Sequence, residues 1–434
     1  MKKVLFFFIG TLITISAQKK LTLEEAVSIA LQNNTSLIKT KNSLTYSESN
    51  VTSAYGNLFP SVSAGAGIGW NKYYLTGNES ESRSANAGIS GGVVLFDGLA
   101  NIATINQSKN DLQSAEFSLE KLKQDIVFEA TSLYYTVINA EKLLKVREDN
   151  VKYNQKFLET IQERNKLGSV AIADVYAQQV QAGNAELLQI QAENDLENAK
   201  SDLLNYLSLD VLEEYTFEDV SSTITESESD AYINEFESIA LMVNEALKNR
   251  YDYKGKELDV KSADDAITIA RGGIFPSVSA SYNLFSAQAD ALSNLYKNNN
   301  YSHGVGLDLS IPIFSNFNVD NRIQYAKVNA LNTQEDLTAL ERLIKIQVKQ
   351  GYLDLQAAKK QLDVSNKNVV SAGENRRVNN ERYNLGSGTI LDVLQADKDY
   401  QQALSDQINA QFRYFELRDK LMNYLGVLDY KKFE

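Results

Sequence analysis

The sequence predicts a mostly α-helical fold with a small β part, in which one plan is used twice. Three observations carry this prediction: a repeat with an offset of 216 to 218 residues, two very long stretches of apolar heptads, and four short segments that alternate apolar with small polar residues. The heptads indicate long antiparallel coiled-coil helices, and the alternation indicates β-strands.

The composition argues against catalysis. The 434-residue chain has no cysteine and one histidine, His303, in an Asn-rich segment that we interpret as a loop. Without a thiol, no cysteine nucleophile, disulfide or Cys-type zinc site can form, and no P-loop glycine motif occurs. We therefore predict a protein that is not an enzyme and has no cofactor. The formal charge of −13 argues against nucleic acid as a partner, because phosphate binding needs a basic patch.

The first residues have the pattern of a secretory signal peptide. Lys2 and Lys3 precede an apolar run at 4–15, and small residues follow it. We expect residues 1–17 to be removed, so that the mature chain begins at Gln18. No later stretch approaches the ~20 apolar residues that a transmembrane helix needs.

Each half begins with an amphipathic helix that ends before a proline. We predict these helices over 21–55 and 238–271. Each is followed by a Phe-Pro step, because proline disfavours the helical conformation at the residue before it. The segment 56–64 returns as 272–280, which is the clearest part of the repeat.

Two alternating segments follow in each half, each about ten residues long, which is the length of a transmembrane strand. We predict strands 61–70, 85–96, 277–285 and 305–313, forming β-hairpins at about 60–96 and about 276–313 with polar loops at 75–83 and 288–300. Aromatic residues stand at one end of the strands, where an interfacial girdle would lie: Trp70, Tyr73, Tyr74, Tyr296 and Tyr301.

Four strands cannot close a membrane barrel, since about eight are the minimum. An open sheet edge is not tolerated in lipid. Several chains must therefore share one β-barrel, and the strand count alone allows two, three or four protomers.

A very long helix follows each hairpin. Apolar residues between 119 and 151 recur position for position between 337 and 369, in steps of three and four residues. The shared register predicts coiled-coil packing along one seam. We predict these helices over 99–166 and 318–384. At ~1.5 Å per residue each is on the order of 100 Å long, so we expect an elongated molecule.

A Leu-Gly-Ser turn ends each long helix, and a last helix follows over 172–207 and 390–425. The turns are Leu167, Gly168 and Ser169 in the first half and Leu385, Gly386 and Ser387 in the second. An Asp-Val pair begins each last helix, at Asp174 and at Asp392.

The repeat predicts the division of the chain. We expect two half-repeats, 18–208 and 238–434, after the signal peptide. Between them, the segment 209–237 holds ten acidic residues and no Lys or Arg. We predict an acidic, solvated connector there rather than a specific cation or partner site.

Two half-repeats of this order resemble the TolC-like outer-membrane efflux proteins, and segment 383–396 is the most specific part of the resemblance. The resemblance implies a homotrimer with a 12-stranded barrel in the outer-membrane lipid, continuous with a periplasmic α-barrel. It also implies an exit duct that receives cargo from an inner-membrane transporter through a periplasmic adaptor. Small organic molecules and polypeptides both remain open as cargo.

The resemblance assigns roles at the periplasmic tip. The two Leu-Gly-Ser turns would be the adaptor-docking tip. Asp392 would line the pore gate as a ring of three carboxylates, and Asp174 and Tyr383 would hold the closed state. Gly388 stands where some members have a basic partner, and Gln395 replaces a second acid. Asp174 and Asp392 also lie where an acid caps a helix, so both interpretations stay open.

Two other functions compete with the duct. A structural or adhesive trimeric coiled coil should carry its strands at one terminus, whereas here they form two hairpins embedded between helices. A surface hydrolase would need convergent acids on loops, and Glu79 and Glu81 have no such partners.

Overall fold

The structure is a computed structural model that describes residues 19–220, 233, 238–289 and 301–433. The predicted signal peptide, most of the acidic connector and the end of the second polar loop, with Tyr296, lie outside the described residues. In the ranges it covers, the longest elements are helices, and none of them is long and apolar enough to cross a membrane.

The first half contains β1 (Lys19–Leu21), α1 (Leu23–Asn33), α2 (Thr35–Gly56), β2 (Ser61–Leu75), β3 (Asn78–Phe96), α3 (Ala100–Lys166) and α4 (Ile172–Tyr206). The rest contains β4 (Tyr215–Phe217), α5 (Ile239–Asn249), α6 (Tyr251–Gly272), β5 (Ser277–Ala289), β6 (Tyr301–Ser310), α7 (Asn318–Asn384), α8 (Ile390–Leu425) and a 3₁₀ helix (Lys431–Phe433). Helices α3 and α7 have 67 residues each, and both their first and their last residues are 218 positions apart.

The prediction of one helix before each hairpin was wrong. Asn34 has an extended backbone that separates α1 from α2, and its side-chain oxygen accepts hydrogen bonds from the amides of Ser36 and Leu37. Arg250 breaks the corresponding helix of the second half, also with an extended backbone. Leu21, predicted to begin the first helix, lies in β1, which pairs in parallel with β4.

The predicted heptad seam lies inside the helical packing. Ile126, Ala130 and Val137 of α3 are buried, as are Ile344 and Val348 of α7. The predicted heptad positions of both long helices are therefore buried, as expected for coiled-coil packing along one seam.

The four strands form one antiparallel sheet in the order β2-β3-β5-β6. The strands extend further into the predicted loops than expected, and β6 ends at Ser310 rather than at residue 313. Residues 78–83, expected in a polar loop, belong to β3, and only Thr76 and Gly77 turn the first hairpin. Gly77 has a φ of 97°, which glycine adopts readily. Lys72 pairs with Glu79 across the extended strands at 2.9 Å, so the charges that suggested a loop are matched between strands.

His303 lies in strand β6 rather than in the predicted loop. It is paired with Leu284 in the ladder, and its Nδ1 is 2.8 Å from the hydroxyl of Tyr282. The Asn-rich residues before it suggested a loop, but the ladder of β6 with β5 already begins at Tyr301.

The chain divides into two compact units, each made from both halves of the sequence. One contains the residues up to 37 with 123–249 and those from 346 onward, and it includes both Leu-Gly-Ser turns. The other contains 38–122 and 250–345, and it includes the four-stranded sheet.

Candidate functional site

The two Leu-Gly-Ser turns have the same backbone. Gly168 and Gly386 have φ angles of 71° and 73°, in the left-handed region that glycine tolerates. In the first turn, the amides of Gly168 and Ser169 donate to the carbonyls of Asn165 and Arg164. The second turn has the same two bonds, so both long helices end in a Schellman motif.

The turns present apolar side chains to the surface. Leu167 is 81% exposed and Leu385 is 83% exposed. Ser169 and Ser387 are exposed beside them. The six predicted tip residues therefore form two matched, accessible turns with a leucine at the surface of each.

Tyr383 and Asp174 join the two turns. The Tyr383 hydroxyl donates to Oδ2 of Asp174 at 3.0 Å, which links the end of α7 to the start of α4. The resemblance implied inter-helix bonds for both residues without naming their partners, and in the structure the two residues bond to each other. Their role as a gate stays a prediction and is a matter for proposal.

The environment of Tyr383 favours the neutral phenol. Its ring packs with Ile161, Val175 and Val393 in a buried cluster, and Phe157 stacks edge-on against it at 6.0 Å between centroids. Burial and the neighbouring Asp174 carboxylate raise the pKa of Tyr383 to about 12. The phenol therefore stays protonated and able to donate over the whole physiological pH range.

Asp392 occupies the other helix start and has a different partner. Thr389 is the N-cap of α8, and its hydroxyl accepts from the Asp392 amide. The Asp392 carboxylate in turn accepts from the backbone amide of Thr389 at 2.9 Å and from its hydroxyl at 2.8 Å. These bonds lower the pKa of Asp392. Asp392 therefore caps the start of α8, and the residue remains exposed to solvent.

The predicted site residues therefore divide into two groups. Asp174 and Tyr383 meet at one partly buried contact, whereas Asp392 stays within its own turn. Gly388 lies close to Arg382, whose Cβ is 3.1 Å from where a Cβ on residue 388 would stand. A larger residue at Gly388 would require Arg382 to move.

Sequence reasoning missed a polar layer further along the same four helices. Asp397 of α8 is only 1% exposed, and its Oδ1 lies 2.8 Å from Nε of Arg376 on α7. Asn150 of α3 donates to the other carboxylate oxygen at 3.1 Å. The guanidinium carbon of Arg376 lies 3.7 Å from the ring centroid of Tyr153.

The layer reaches all four helices. Gln178 of α4 is fully buried, and its amide nitrogen donates to the backbone and side-chain oxygens of Asn154. Asn154 also approaches Asp397, at 3.4 Å. A signal was present in the sequence, because Asp397 falls four residues after the apolar Val393 and so interrupts the seam of α8 with a charge.

The site offers packing and hydrogen bonding rather than reactive chemistry. No group of three or more His, Asp or Glu side chains in the described ranges could hold a metal ion. At the turns, the Tyr383–Asp174 hydrogen bond joins α7 to α4, whereas Asp392 bonds within its own turn. The helix ends are therefore a place where contact between the two halves can be made or lost.

Comparison with known proteins identifies the family. The sequence profile of the outer membrane efflux protein family matches residues 26–208 and 242–427. The chain is 22% identical over 389 residues to the outer membrane protein TolC of Escherichia coli K12, covering 87% of this chain and 77% of TolC.

Solved structures show the same fold. The transmembrane channel CusC has a TM-score of 0.84 at 16% identity, covering 93% of this chain and 92% of CusC. The CmeC outer membrane channel of Campylobacter jejuni has a TM-score of 0.81 at 16% identity, covering 94% and 86%.

The chain belongs to the outer membrane efflux protein family. It is an outer-membrane channel for efflux or secretion. Family membership confirms the resemblance to TolC-like proteins, the mostly helical fold class, the location and the prediction that the protein is not an enzyme.

Proposed function

We propose that three copies of the chain form one duct through the outer membrane, gated at the Leu-Gly-Ser turns and supplied by an inner-membrane transporter through a periplasmic adaptor. The observation that carries the proposal is the pair of outer edges on the four-stranded sheet. Among the described strands, β2 and β6 each have a neighbour on one side only.

Those edges need partners in a membrane. Each backbone amide or carbonyl left unpaired in lipid costs several kcal/mol, about 4–8 on a water-to-hydrocarbon scale. Pairing β2 of one copy with β6 of the next satisfies both edges. Three copies give twelve strands, which exceeds the minimum of about eight for a closed barrel.

The helical unit supports self-association independently. One stripe of α4 follows heptad spacing and leaves large apolar side chains more than half exposed: Ile172, Tyr176, Val180, Leu187 and Ile190. An apolar stripe of this spacing fits a neighbouring helix in a coiled coil. A second copy would cover it in the trimer.

The gate follows from the contacts at the turns. The Tyr383–Asp174 bond holds the end of α7 against the start of α4. Its loss would therefore free the second helical pair, α7 and α8, to move relative to the first pair, α3 and α4. Three copies of the exposed Asp392 carboxylate would form a ring at the same end, and rings of Asp favour cations. Leu167 and Leu385, exposed on matched turns, would bind an apolar groove of the adaptor.

The first experiment is the native mass of the detergent-extracted protein, corrected for bound detergent. A trimer is the expected result. A folded monomer that stays soluble without detergent would contradict the shared barrel and leave an elongated periplasmic coiled-coil scaffold.

Two further experiments test the tip. Cation preference in single-channel recordings should weaken in Asp392→Ala, and unchanged selectivity would refute the carboxylate ring. Because the chain has no cysteine, Leu385→Cys carries a unique thiol for crosslinking to the adaptor. Val180→Cys, on the α4 stripe, is the control that should link copies of this chain instead.

A further inference from the structure

The four-stranded sheet has two chemically different faces. The register pairs Val62 with Gly91 and Ile68 with Ala85 on one face, and the same face continues through Val305 and Leu307 of β6. These four large apolar side chains are all exposed. In a membrane barrel such a face meets lipid.

The opposite face consists mostly of serine, glycine and asparagine. Ser63 and Ser90 are paired across β2 and β3, and their hydroxyls are 2.9 Å apart. Ser281 and Gly306 are paired across β5 and β6. Short side chains without charge would leave a wide, hydrated interior.

Asp308 is the single acidic or basic side chain on this polar face in the described strands. The register pairs it with Ser279. The four other residues of the four-stranded sheet with formal charge, Lys72, Glu79, Glu81 and Arg83, lie on the apolar face by the same register. Lys72 and Glu79 form an ion pair, as do Arg83 and Glu81.

The Asp308 carboxylate has no compensating charge. Within the described part of the chain it makes no hydrogen bond or ion pair, and it is exposed. Its Oδ2 lies 3.5 Å from where a Cβ on Gly306 would stand, so the glycine leaves the carboxylate uncovered on that side. An unpaired charge on an otherwise uncharged face can attract or repel charged molecules that pass it.

We propose that Asp308 determines the charge specificity of the exit lumen, where three copies form a carboxylate ring separate from the gate. The proposal rests on the homotrimeric barrel proposed above. Rings of Asp or Glu favour cations over anions. Asp308 pairs with Ser279 near the start of β5, which follows α6, so the ring lies at the helix-proximal end of the barrel. There it favours cationic or neutral cargo and opposes anionic cargo.

The first test determines which face of the four-stranded sheet is accessible to water. The cysteine-free chain allows Asp308→Cys and the neighbouring Leu307→Cys as a matched pair. A membrane-impermeant, positively charged methanethiosulfonate is added to the trimer in lipid vesicles, and labelling is followed by intact mass. Because the reactive form is the thiolate, which lipid does not stabilise, Asp308→Cys should react roughly tenfold faster or more.

The second test measures selectivity. Asp308→Asn keeps the size of the side chain and removes the charge. At 0.1 M salt, where the screening length is about 10 Å, we expect the cation-to-anion permeability ratio to fall roughly twofold, and at 1 M, where it is about 3 Å, the effect should vanish. Ser279→Asn, on the paired residue of the same face, is the neutral control.

The outcomes separate this proposal from the one on which it rests. Fast labelling of Asp308→Cys together with a salt-sensitive loss of selectivity supports the ring. Fast labelling of a trimer whose selectivity is unchanged in Asp308→Asn overturns the ring alone. Preferential labelling of Leu307→Cys overturns the assignment of faces, and equal labelling of both variants refutes the membrane barrel itself.

Discussion

The two helical pairs, α3–α4 and α7–α8, each contain one Leu-Gly-Ser turn. The two turns have the same backbone hydrogen bonds but different side-chain hydrogen bonds. Both long helices end in a left-handed glycine with the same two amide bonds. The next helix then begins in two ways. Thr389 and Asp392 form a capping box at the start of α8, whereas Ala171 at the start of α4 provides no side-chain cap.

The equivalent aspartates therefore have different partners. Asp392 is satisfied within its own turn, while Asp174, 218 residues earlier, accepts from Tyr383 of the other helical pair. The residue that corresponds to Tyr383 is Asn165, which donates to the Val170 carbonyl inside its own turn. At the turns, the Tyr383–Asp174 bond joins the two pairs, and the symmetry-related counterpart of this bond is missing.

This difference indicates which part can move. The α7–α8 turn keeps its helix start through local bonds and can shift as a unit. The α3–α4 turn depends on the other pair for the partner of Asp174. Separation of the two turns therefore breaks an identifiable hydrogen bond, Tyr383–Asp174, and opens the apolar cluster that Ile161 and Val175 form with Tyr383.

The largest expected effect comes from the polar layer, which is also asymmetric. Arg376 and Asp397 both belong to the second pair, and the corresponding residues of the first pair are Leu158 and Gln179. Arg376→Met leaves the buried Asp397 carboxylate without its cation, so we expect a loss of about 3–5 kcal/mol in the free energy of unfolding. Thermal unfolding followed by circular dichroism at the helical band checks this.

The double variant Arg376→Met/Asp397→Leu is the control for that prediction. Replacing both members of a buried ion pair by apolar residues is often neutral or stabilising. Most of the lost stability should therefore return, less the hydrogen bond from Asn150. Equal stability of Arg376→Met and the wild type would show that the layer contributes nothing.

The sequence was most informative where periodicity dictates structure. The bounds of α7 were predicted to the residue, because a long heptad pattern ends at a glycine turn. The breaks at Asn34 and Arg250 were missed, since neither residue is a strong helix breaker and the break depends on local capping and on the Arg250–Asp252 ion pair. Strand ends were missed because charge suggested loops, whereas Glu79 pairs with Lys72 across the strands and Glu81 pairs with Arg83 within β3.

The site was predictable only in part. Asp174 and Tyr383 came from the resemblance, and nothing in the spacing alone could place them 3.0 Å apart. The layer around Asp397 could have been suspected from a charge in an apolar seam. Its partners could not, because Arg376, Asn150 and Gln178 come from three other helices and become neighbours only through tertiary packing.

Loss of the Tyr383–Asp174 hydrogen bond should have the next largest effect, an increase in channel opening. Tyr383→Phe keeps the ring in its cluster and removes the donor to Asp174. A hydrogen bond to a charged group contributes about 1.5–3 kcal/mol, so the open state should gain roughly ten- to hundredfold in each protomer. The open probability in planar-bilayer recordings measures it, which separates opening from any change in ion selectivity. Asp392→Asn changes the equivalent aspartate and should leave the opening unchanged; opening in both variants alike would contradict the asymmetry.

A smaller effect should follow from making the two turns alike. Ala171 already has an extended backbone suited to an N-cap, with φ −72° and ψ 148°. Ala171→Thr supplies the missing hydroxyl and should stabilise the start of α4 by about 1 kcal/mol. If the Asp174 carboxylate joins the new capping box, its bond to Tyr383 weakens. We expect slower amide exchange at 172–175 together with a higher open probability, and slower exchange without further opening would show that Asp174 serves both partners.

The smallest effect is a pH dependence confined to one turn. The Thr389 amide and hydroxyl lower the pKa of Asp392 below its ordinary value of 3.8, so the capping box stabilises α8 above that pH and this contribution is lost as the pH falls through the lower folded value. Amide exchange at 390–393, corrected for its intrinsic pH dependence, should show weaker protection at pH 3 than at pH 5. Thr389→Val should abolish the difference, and residues 172–175, which have no capping box, should not show it. A pH-dependent loss of equal size at both helix starts would mean that the side-chain bonding of the two turns does not control their local stability.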